Sequence, residues 1–230
     1  MGNRGDRRFP RVIFLDAVGT LFGVRGSVGE IYGEVARRFG VEVSAAELNR
    51  AFFRSFKAAG VPAFAETDPV TIQVKEFAWW RAIATQTFQQ VDALQRFSNF
   101  EEFFAELYAH FALAEPWFLY PDVRPALERW QAMGVQLGVL SNFDSRLYQV
   151  LQALNLMDYF SSITISTEVG AAKPDAKIFA IALQKHHCSP EFAWHIGDSF
   201  EEDYQAASAV GMRGIWLRRK VTTQVKEGEG

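Results

Sequence analysis

Four short polar segments of this sequence carry the side chains best suited to chemistry. They are Asp16–Thr20, Leu140–Asn142, Ala172–Asp175 and Gly197–Ser199, and their chemically active side chains are those of Asp16, Ser141, Lys173 and Asp198. Alone, each segment is ambiguous, because an Asp after a strand often caps a helix and a Ser-Asn pair is common in turns. Together they offer a carboxylate nucleophile, a hydroxyl donor, a positive charge and a second carboxylate. Such a set is suited to a reaction of an anionic substrate.

The elements that must position these segments alternate in type. The apolar runs that we predict to be strands are Val12–Leu15, Val135–Leu140, Ile163–Ser166, Phe192–Ile196 and Gly214–Leu217. After the first run, helical patterns cover residues 123–133, 146–154, 177–186 and 203–210. This alternation predicts an α/β protein with a Rossmann-like parallel sheet and helices on both faces. Because parallel strands end at one edge, the four polar segments are expected to meet at the carboxyl edge of the sheet.

A different pattern separates the first predicted strand from the others. Between Gly26 and Leu113, apolar residues recur at helical spacing, which predicts a bundle of about four helices. We therefore predict a core of residues 11–24 and 117–220, an inserted all-α helical cap of residues 25–116, and flexible tails of residues 1–10 and 221–230. We interpret Trp79, Trp80 and Phe88 as interior residues of the cap rather than as a platform on which a ligand stacks.

Composition limits the possible partners and compartments. The chain has 230 residues, a formal net charge of −3 and one cysteine, Cys188. A near-neutral charge predicts no nucleic-acid partner, and no apolar run is long enough for a membrane span. A single cysteine cannot form an internal disulfide and is compatible with a reducing compartment, so we expect a cytoplasmic protein. The sequence leaves the oligomeric state open.

The four segments resemble, in order, the four motifs of the haloacid dehalogenase-like hydrolase superfamily, in its branch with a helical cap. The resemblance spans residues 11 to 217. A narrower similarity links the chain to a subgroup named after a rhythmically expressed fly gene. The stretches that carry it are SNFD at Ser141–Asp144, AAKPD at Ala171–Asp175, HIGDSFEEDYQAA at His195–Ala207 and the Trp79-Trp80 pair.

This resemblance implies a catalytic role for three side chains. Asp16 would attack phosphorus and form an aspartyl-phosphate, Ser141 would donate a hydrogen bond to a phosphoryl oxygen, and Lys173 would supply positive charge. It also implies Mg²⁺ as cofactor, bound by Asp16, Asp198 and the backbone carbonyl of Val18, because hard oxygen ligands with open positions suit this ion.

The resemblance assigns supporting roles to further residues. Gly19 and Thr20 belong to the loop that follows the nucleophile, and Thr20 is expected to steady it. Asn142 and Asp203 are expected to orient the residues that contact the substrate, with Glu202 as an alternative to Asp203. We interpret His195, inside a strand run, as a packed residue rather than a ligand.

Val18 departs from the superfamily pattern. Phosphatases of this superfamily usually carry a second aspartate two residues after the nucleophile, which protonates the leaving group and later activates water. Valine can do neither, although its backbone carbonyl can still bind a metal ion. Losing a general acid typically lowers the rate by about 10²–10⁴-fold. A good leaving group needs less protonation and would suffer less.

Three explanations for Val18 remain open at this point. Another carboxyl group, such as Glu30 or Glu34, supplies the proton to a slow or specialised phosphatase. Alternatively the bond cleaved is different: phosphonate enzymes of the superfamily use a cap lysine, here Lys57 or Lys75, whereas its carbon–halogen enzymes use no metal, and Asp198 argues against them. Third, the protein binds a phosphorylated ligand or a protein partner with little or no turnover.

The favoured hypothesis is a Mg²⁺-dependent phosphatase that acts on a small phosphorylated metabolite, with an impaired or unusual acid/base step. The alternative is a weak or inactive binding protein with the same fold.

Overall fold

The elements of the protein follow the predicted alternation. A computed structural model describes residues 9–64, 66 and 68–219. Seven strands are described: β1 (Val12–Leu15), β2 (Phe22–Val24), β3 (Trp117–Leu119), β4 (Gln136–Ser141), β5 (Ser162–Ile165), β6 (Ala193–Gly197) and β7 (Arg213–Trp216). The α-helices of the described residues are α1 (Val28–Arg38), α2 (Ala45–Ala59), α3 (Pro69–Gln89), α4 (Phe100–His110), α5 (Val123–Ala132), α6 (Arg146–Ala153), α7 (Ser166–Val169), α8 (Ala176–Lys185) and α9 (Ala206–Ala209). Apart from Phe9 and Pro10, the predicted tails lie outside the described residues.

The sheet is parallel and has the strand order β5-β4-β1-β6-β7. All four residues of β1 are buried, as a central strand covered on both faces requires. Ile13 and Leu15 enter one hydrophobic cluster, whereas Val12 and Phe14 enter another, because successive side chains point to opposite faces. The predicted Rossmann-like α/β fold is therefore confirmed.

Helices α1 to α4, together called the helical block, enclose a hydrophobic cluster of their own. This cluster includes Leu48, Phe52, Phe88 and Phe103. Helix starts in this block follow ordinary capping chemistry. Ser27 accepts a hydrogen bond from the backbone of Glu30, whose side chain in turn accepts one from the backbone of Ser27. Phe88 is fully buried, as predicted.

Three local features differ from the sequence analysis. Strands β2 and β3 form an antiparallel pair at the two ends of the helical block, where no strand was predicted, because three residues are too few for a recognisable pattern. Val74, one of the apolar residues at helical spacing between Gly26 and Leu113, is 64% exposed and does not face the interior. The helix predicted at 203–210 starts earlier, with a wide π-type turn at Phe200–Gln205 that leads into α9.

Among residues 9–64, 66 and 68–219, no helix is both long and apolar enough to cross a membrane.

Candidate active site

Strand register brings Asp16 to the centre of the carboxyl edge of the sheet. Leu15, the last residue of β1, pairs with Val139 of β4 and with Ile196 of β6. Asp16 therefore lies between the end of β4, where Ser141 stands, and the end of β6, which Asp198 follows. This is the edge at which open α/β sheets bind ligands.

A buried lysine links the two sides of this edge. The Lys173 ammonium donates hydrogen bonds to Asp16 Oδ1 at 2.7 Å and to Asp203 Oδ1 at 2.5 Å. The residue is only 2% exposed. Burial opposes its charge, but the carboxylates of Asp16 and Asp203 prevail and raise the pKa of Lys173, which stays protonated. The predicted neighbours Asp16, Lys173 and Asp203 are thus in contact.

Asp203 is held on both oxygens. His195 Nε2 lies 2.8 Å from Asp203 Oδ1, and the backbone N–H of Ser199 donates to Oδ2 at 2.9 Å. Although burial opposes ionisation, the hydrogen bond from His195 and the charge of Lys173 lower the pKa of Asp203. Burial lowers the pKa of His195, so the imidazole is neutral and donates through Nε2. His195 is buried as predicted, but it also orients Asp203, a contact that sequence analysis missed.

Asn142 ties the end of β4 to the lysine segment. Its amide donates to the Lys173 carbonyl at 3.0 Å, and its Oδ1 accepts from the Lys173 backbone N–H at 2.7 Å. The same amide group lies 3.2 Å from Glu202 Oε2. Ser141 is buried beside Asn142, and both residues line the cavity described below. Asn142 therefore holds the backbone that presents Lys173.

The loop after the nucleophile depends on glycine and on a distant arginine. Gly19 has φ of +86°, and a Cβ there would lie 2.3 Å from Asp198 Oδ2, so a side chain would displace that carboxylate. Arg219 donates to the carbonyls of Gly19 and Thr20 at 3.1 and 2.6 Å and pairs with Asp122. The Thr20 hydroxyl is buried and has no hydrogen-bond partner among the described residues. Arg219 and the backbone hydrogen bonds of Gly19 and Leu21 thus steady the loop, whereas no hydrogen bond of the Thr20 hydroxyl within the described part of the chain does.

Three carboxylates of this edge fit a divalent cation. One oxygen each of Asp16, Asp198 and Asp203 lies within 4.8 Å of the others. Burial and the negative charges of Asp16 and Asp203 raise the pKa of Asp198 to about 6. Repulsion of this kind is relieved by a bound cation, and carboxylate oxygens suit Mg²⁺. Because both oxygens of Asp203 are already hydrogen-bonded, Asp16 and Asp198 are the better candidate ligands.

A cavity of about 390 Å³ lies above these residues and beneath the helical block. Asp16, Val18, Lys173 and Asp198 line its lower end. Aromatic side chains of the helical block line the other end; examples are Tyr32, Phe52, Phe56, Trp79, Trp80 and Phe104. Trp79 and Trp80 pack against the hydrophobic cluster of α1 to α4, as predicted, but both are only half-buried and also line the cavity.

Polar side chains of α3 connect the helical block to the sheet edge beside this cavity. Trp80 Nε1 donates to Asp144 Oδ2 at 2.7 Å, and Asp144 forms a buried ion pair with Arg146. Glu76, also on α3, accepts hydrogen bonds from the Ser145 backbone at 2.9 Å and from Thr167 Oγ1 at 2.6 Å. Burial raises the pKa of Glu76. These contacts hold α3, which carries Trp79 and Trp80, against the segment that follows Ser141.

The substitutes considered for a missing acid or a cap lysine do not reach the cavity. Glu30 is engaged in the capping of α1, and Glu34 is exposed. Lys57 is exposed, and Lys75 pairs with Glu66. None of the four is among the residues that line the cavity.

The parallel sheet and the carboxylate–lysine cluster at its carboxyl edge define a Rossmann-like α/β hydrolase. A sequence profile for haloacid dehalogenase-like hydrolases matches residues 10–211. This chain belongs to the haloacid dehalogenase-like hydrolase family.

Similar proteins and structures show where in this family the chain lies. The chain is 32% identical over 217 residues to haloacid dehalogenase-like hydrolase domain-containing protein 3 of Danio rerio, covering 91% of this chain and 86% of that protein. It is 31% identical over 223 residues to rhythmically expressed gene 2 protein of Drosophila melanogaster, covering 91% and 84%. The fold matches an HAD phosphatase from Thermococcus onnurineus with a TM-score of 0.58, 23% identity and coverage of 94% and 90%. The family and subgroup resemblance seen in the sequence is confirmed.

Proposed function

We propose that this protein is a Mg²⁺-dependent phosphatase that acts on a small phosphorylated metabolite, with Asp16 as nucleophile and with a weakened acid/base step. The observation that carries the proposal is the convergence of Asp16, Lys173 and Asp198 on one end of the cavity beneath α1 to α4. In this proposal residues 25–116 act as a cap over a core of residues 11–24 and 117–220, which excludes water and shapes specificity.

The proposed reaction begins at the carboxylate of Asp16. Oδ1 is bound to the Lys173 ammonium, whereas Oδ2 receives no hydrogen bond from another described residue and is the candidate attacking atom. A new bond forms between Asp16 and phosphorus as the bond to the leaving oxygen breaks, and the leaving group departs with its electron pair. Water then attacks phosphorus, releases inorganic phosphate and restores Asp16. Lys173 and Ser141 are placed to balance charge on the phosphoryl oxygens.

Asp16, Asp198 and the backbone carbonyl of Val18 are the proposed Mg²⁺ ligands. A bound Mg²⁺ neutralises charge on the phosphoryl group and relieves the repulsion between the two carboxylates. Gly19 supports this arrangement, because it leaves the space that the Asp198 carboxylate occupies.

The acid/base step is the weak point of the proposed mechanism. The Val18 side chain lines the cavity and offers no proton. Leaving groups that are stable as anions are therefore expected to react fastest. The same observation favours a second candidate function, in which the protein binds a phosphorylated ligand and turns it over very slowly.

Hydrolysis of para-nitrophenyl phosphate with and without Mg²⁺ tests the proposal. We expect turnover only with Mg²⁺ and a strong loss in Asp198→Asn, because that substitution removes a ligand charge. Mg²⁺ is also expected to stabilise the folded wild type by about 2.7 kcal/mol at roughly 100 times its Kd. Thermal unfolding of Asp198→Asn should show a much smaller Mg²⁺ effect.

Asp158→Asn is the matched control, since Asp158 is exposed and lies away from the sheet edge. It should retain both the turnover and the Mg²⁺ effect of the wild type. Metal-independent hydrolysis, or an equal response of Asp158→Asn and Asp198→Asn, would contradict the proposal.

A further inference from the structure

The side chains that line the cavity above Asp16 are polar at one end and mostly apolar at the other. Its lower end is formed by charged and polar groups, among them Asp16, Ser141, Lys173 and Asp198. Among the described residues, every side chain that segment 25–116 contributes to the lining is apolar or aromatic. A ligand that fills this space therefore combines one compact anionic group with a hydrophobic body.

The polar side-chain groups of Trp80 and Arg146 near the apolar end are already engaged. Trp80 Nε1 donates to Asp144, and the Arg146 guanidinium donates to both oxygens of Asp144 and to the Tyr108 carbonyl. Among the described residues, the hydroxyl groups that segment 25–116 adds to the lining are those of Tyr32 and Tyr108, so a sugar phosphate with several hydroxyl groups would bury more of them than this end can pair. Each such hydroxyl is expected to weaken binding by roughly tenfold. The lining thus disfavours polyhydroxylated substrates.

Aromatic rings in the lining favour a flat, aromatic body. Phe56 stacks on Phe52 and on Trp80, with centroid distances of 5.7 and 5.8 Å. Trp79 meets Phe56 edge to face at 5.8 Å. Phe56 is 38% exposed and also lines the cavity, so its ring is available to a ligand. Ring-to-ring contacts of these kinds are the preferred arrangements of aromatic pairs.

A separate observation points to the same chemistry. Val18 supplies no proton to the leaving oxygen, and a phenolic oxygen departs as an anion far more readily than an alcohol oxygen. The aromatic lining and the absence of a carboxyl group at position 18 are independent features of the chain, and an aryl ester suits both.

We infer that the physiological substrate is an aryl phosphate monoester, with its ring against the wall formed by Phe52, Phe56, Trp79 and Trp80 and its phosphoryl group at Asp16. This inference rests on the proposed phosphatase function and names its substrate class. A cavity of about 390 Å³ is large enough for a one- or two-ring phosphate.

Binding of phosphonates tests whether the protein recognises a ring in the absence of turnover, because the proposed mechanism does not cleave their carbon–phosphorus bond. Calorimetry with Mg²⁺ present should show that phenylphosphonate binds the wild type at least about tenfold more tightly than methylphosphonate. Phe56→Ala should remove most of this preference while leaving methylphosphonate binding within about twofold of the wild type. Phe9→Ala is the matched control, since Phe9 is 53% exposed and does not line the cavity.

Hydrolysis assays separate this inference from the proposed function. Acetyl phosphate has a good leaving group but no ring, so it reports phosphatase chemistry alone. Turnover of acetyl phosphate combined with equal binding of the two phosphonates would overturn the aryl inference and leave the phosphatase proposal standing. Failure of the wild type to hydrolyse either acetyl or 1-naphthyl phosphate would overturn the phosphatase proposal. A kcat/KM for glucose 6-phosphate equal to that for 1-naphthyl phosphate would also contradict the aryl inference.

Discussion

Asp16→Asn is expected to lower kcat for para-nitrophenyl phosphate by about 10⁴-fold or more, because it removes the attacking carboxylate and leaves the rest of the site in place. The amide has nearly the shape of the carboxylate, and the Lys173 ammonium still has Asp203 as a partner. Steady-state kinetics at saturating Mg²⁺ measure the effect. Thermal unfolding serves as the check that the variant is folded.

Asp144→Asn provides the matched comparison for this substitution. Asp144 is also buried and paired with a cation, Arg146, and it also lines the cavity. Its loss is expected to affect stability far more than the chemical step, because it leaves the Arg146 charge without its partner. If Asp16→Asn keeps a turnover within about tenfold of the wild type, Asp16 is not the nucleophile.

Val18→Asp is the second substitution with a large expected effect, and it is expected to raise kcat. The Val18 side chain is 36% exposed and lines the cavity, so a carboxyl group there can be solvated and can face a bound ester. We expect kcat for an alkyl phosphate to rise by about 10²–10⁴-fold, the usual contribution of a general acid. The increase for para-nitrophenyl phosphate should be much smaller, because its leaving group needs little protonation.

Val18→Asn is the control for this gain, since it introduces a polar side chain of the same size that cannot transfer a proton. An equal rise in Val18→Asn, or no rise in Val18→Asp, would show that the missing acid does not limit the reaction. A wild type without turnover, together with turnover in Val18→Asp, would support the alternative of a binding protein on an intact scaffold.

Sequence reasoning found the residues at the sheet edge because strand order makes them converge. Asp16 and Asp198 each directly follow a strand run, and parallel pairing of β1 with β6 is enough to bring them together. Lys173 was expected at the same edge, but its pairing with Asp16 came only from the family resemblance, since the short helix α7 separates its segment from β5 and the contact spans 157 positions of the chain.

The upper half of the cavity could not be predicted, for a different physical reason. Helical periodicity places Phe56 and Trp79 on apolar faces of their helices. An apolar face gives the same sequence pattern whether it packs against a neighbouring helix or lines a cavity. Trp80 illustrates this point, because it packs in the helical block, lines the cavity and donates to Asp144.

Long-range polar contacts were missed as well. Arg219 holds the loop after the nucleophile from the far end of the described chain, and nothing in its neighbourhood marks it for that role. Glu76 sits in a helical pattern where a solvated position would be expected, yet it is 1% exposed and joins α3 to Ser145 and Thr167. Pairings of this kind depend on how separate elements meet and leave no local periodic signal.

Trapping the covalent intermediate tests the central claim most directly. Without a carboxyl group at position 18 to activate water, the aspartyl-phosphate should break down slowly and accumulate when the leaving group is good. After the wild type is mixed with para-nitrophenyl phosphate and Mg²⁺ and quenched in acid, mass spectrometry should find one phosphoryl group on Asp16. Asp16→Asn should carry none. Product release without any phosphorylated peptide, or a phosphoryl group on another side chain, would contradict the assignment of Asp16 as the nucleophile.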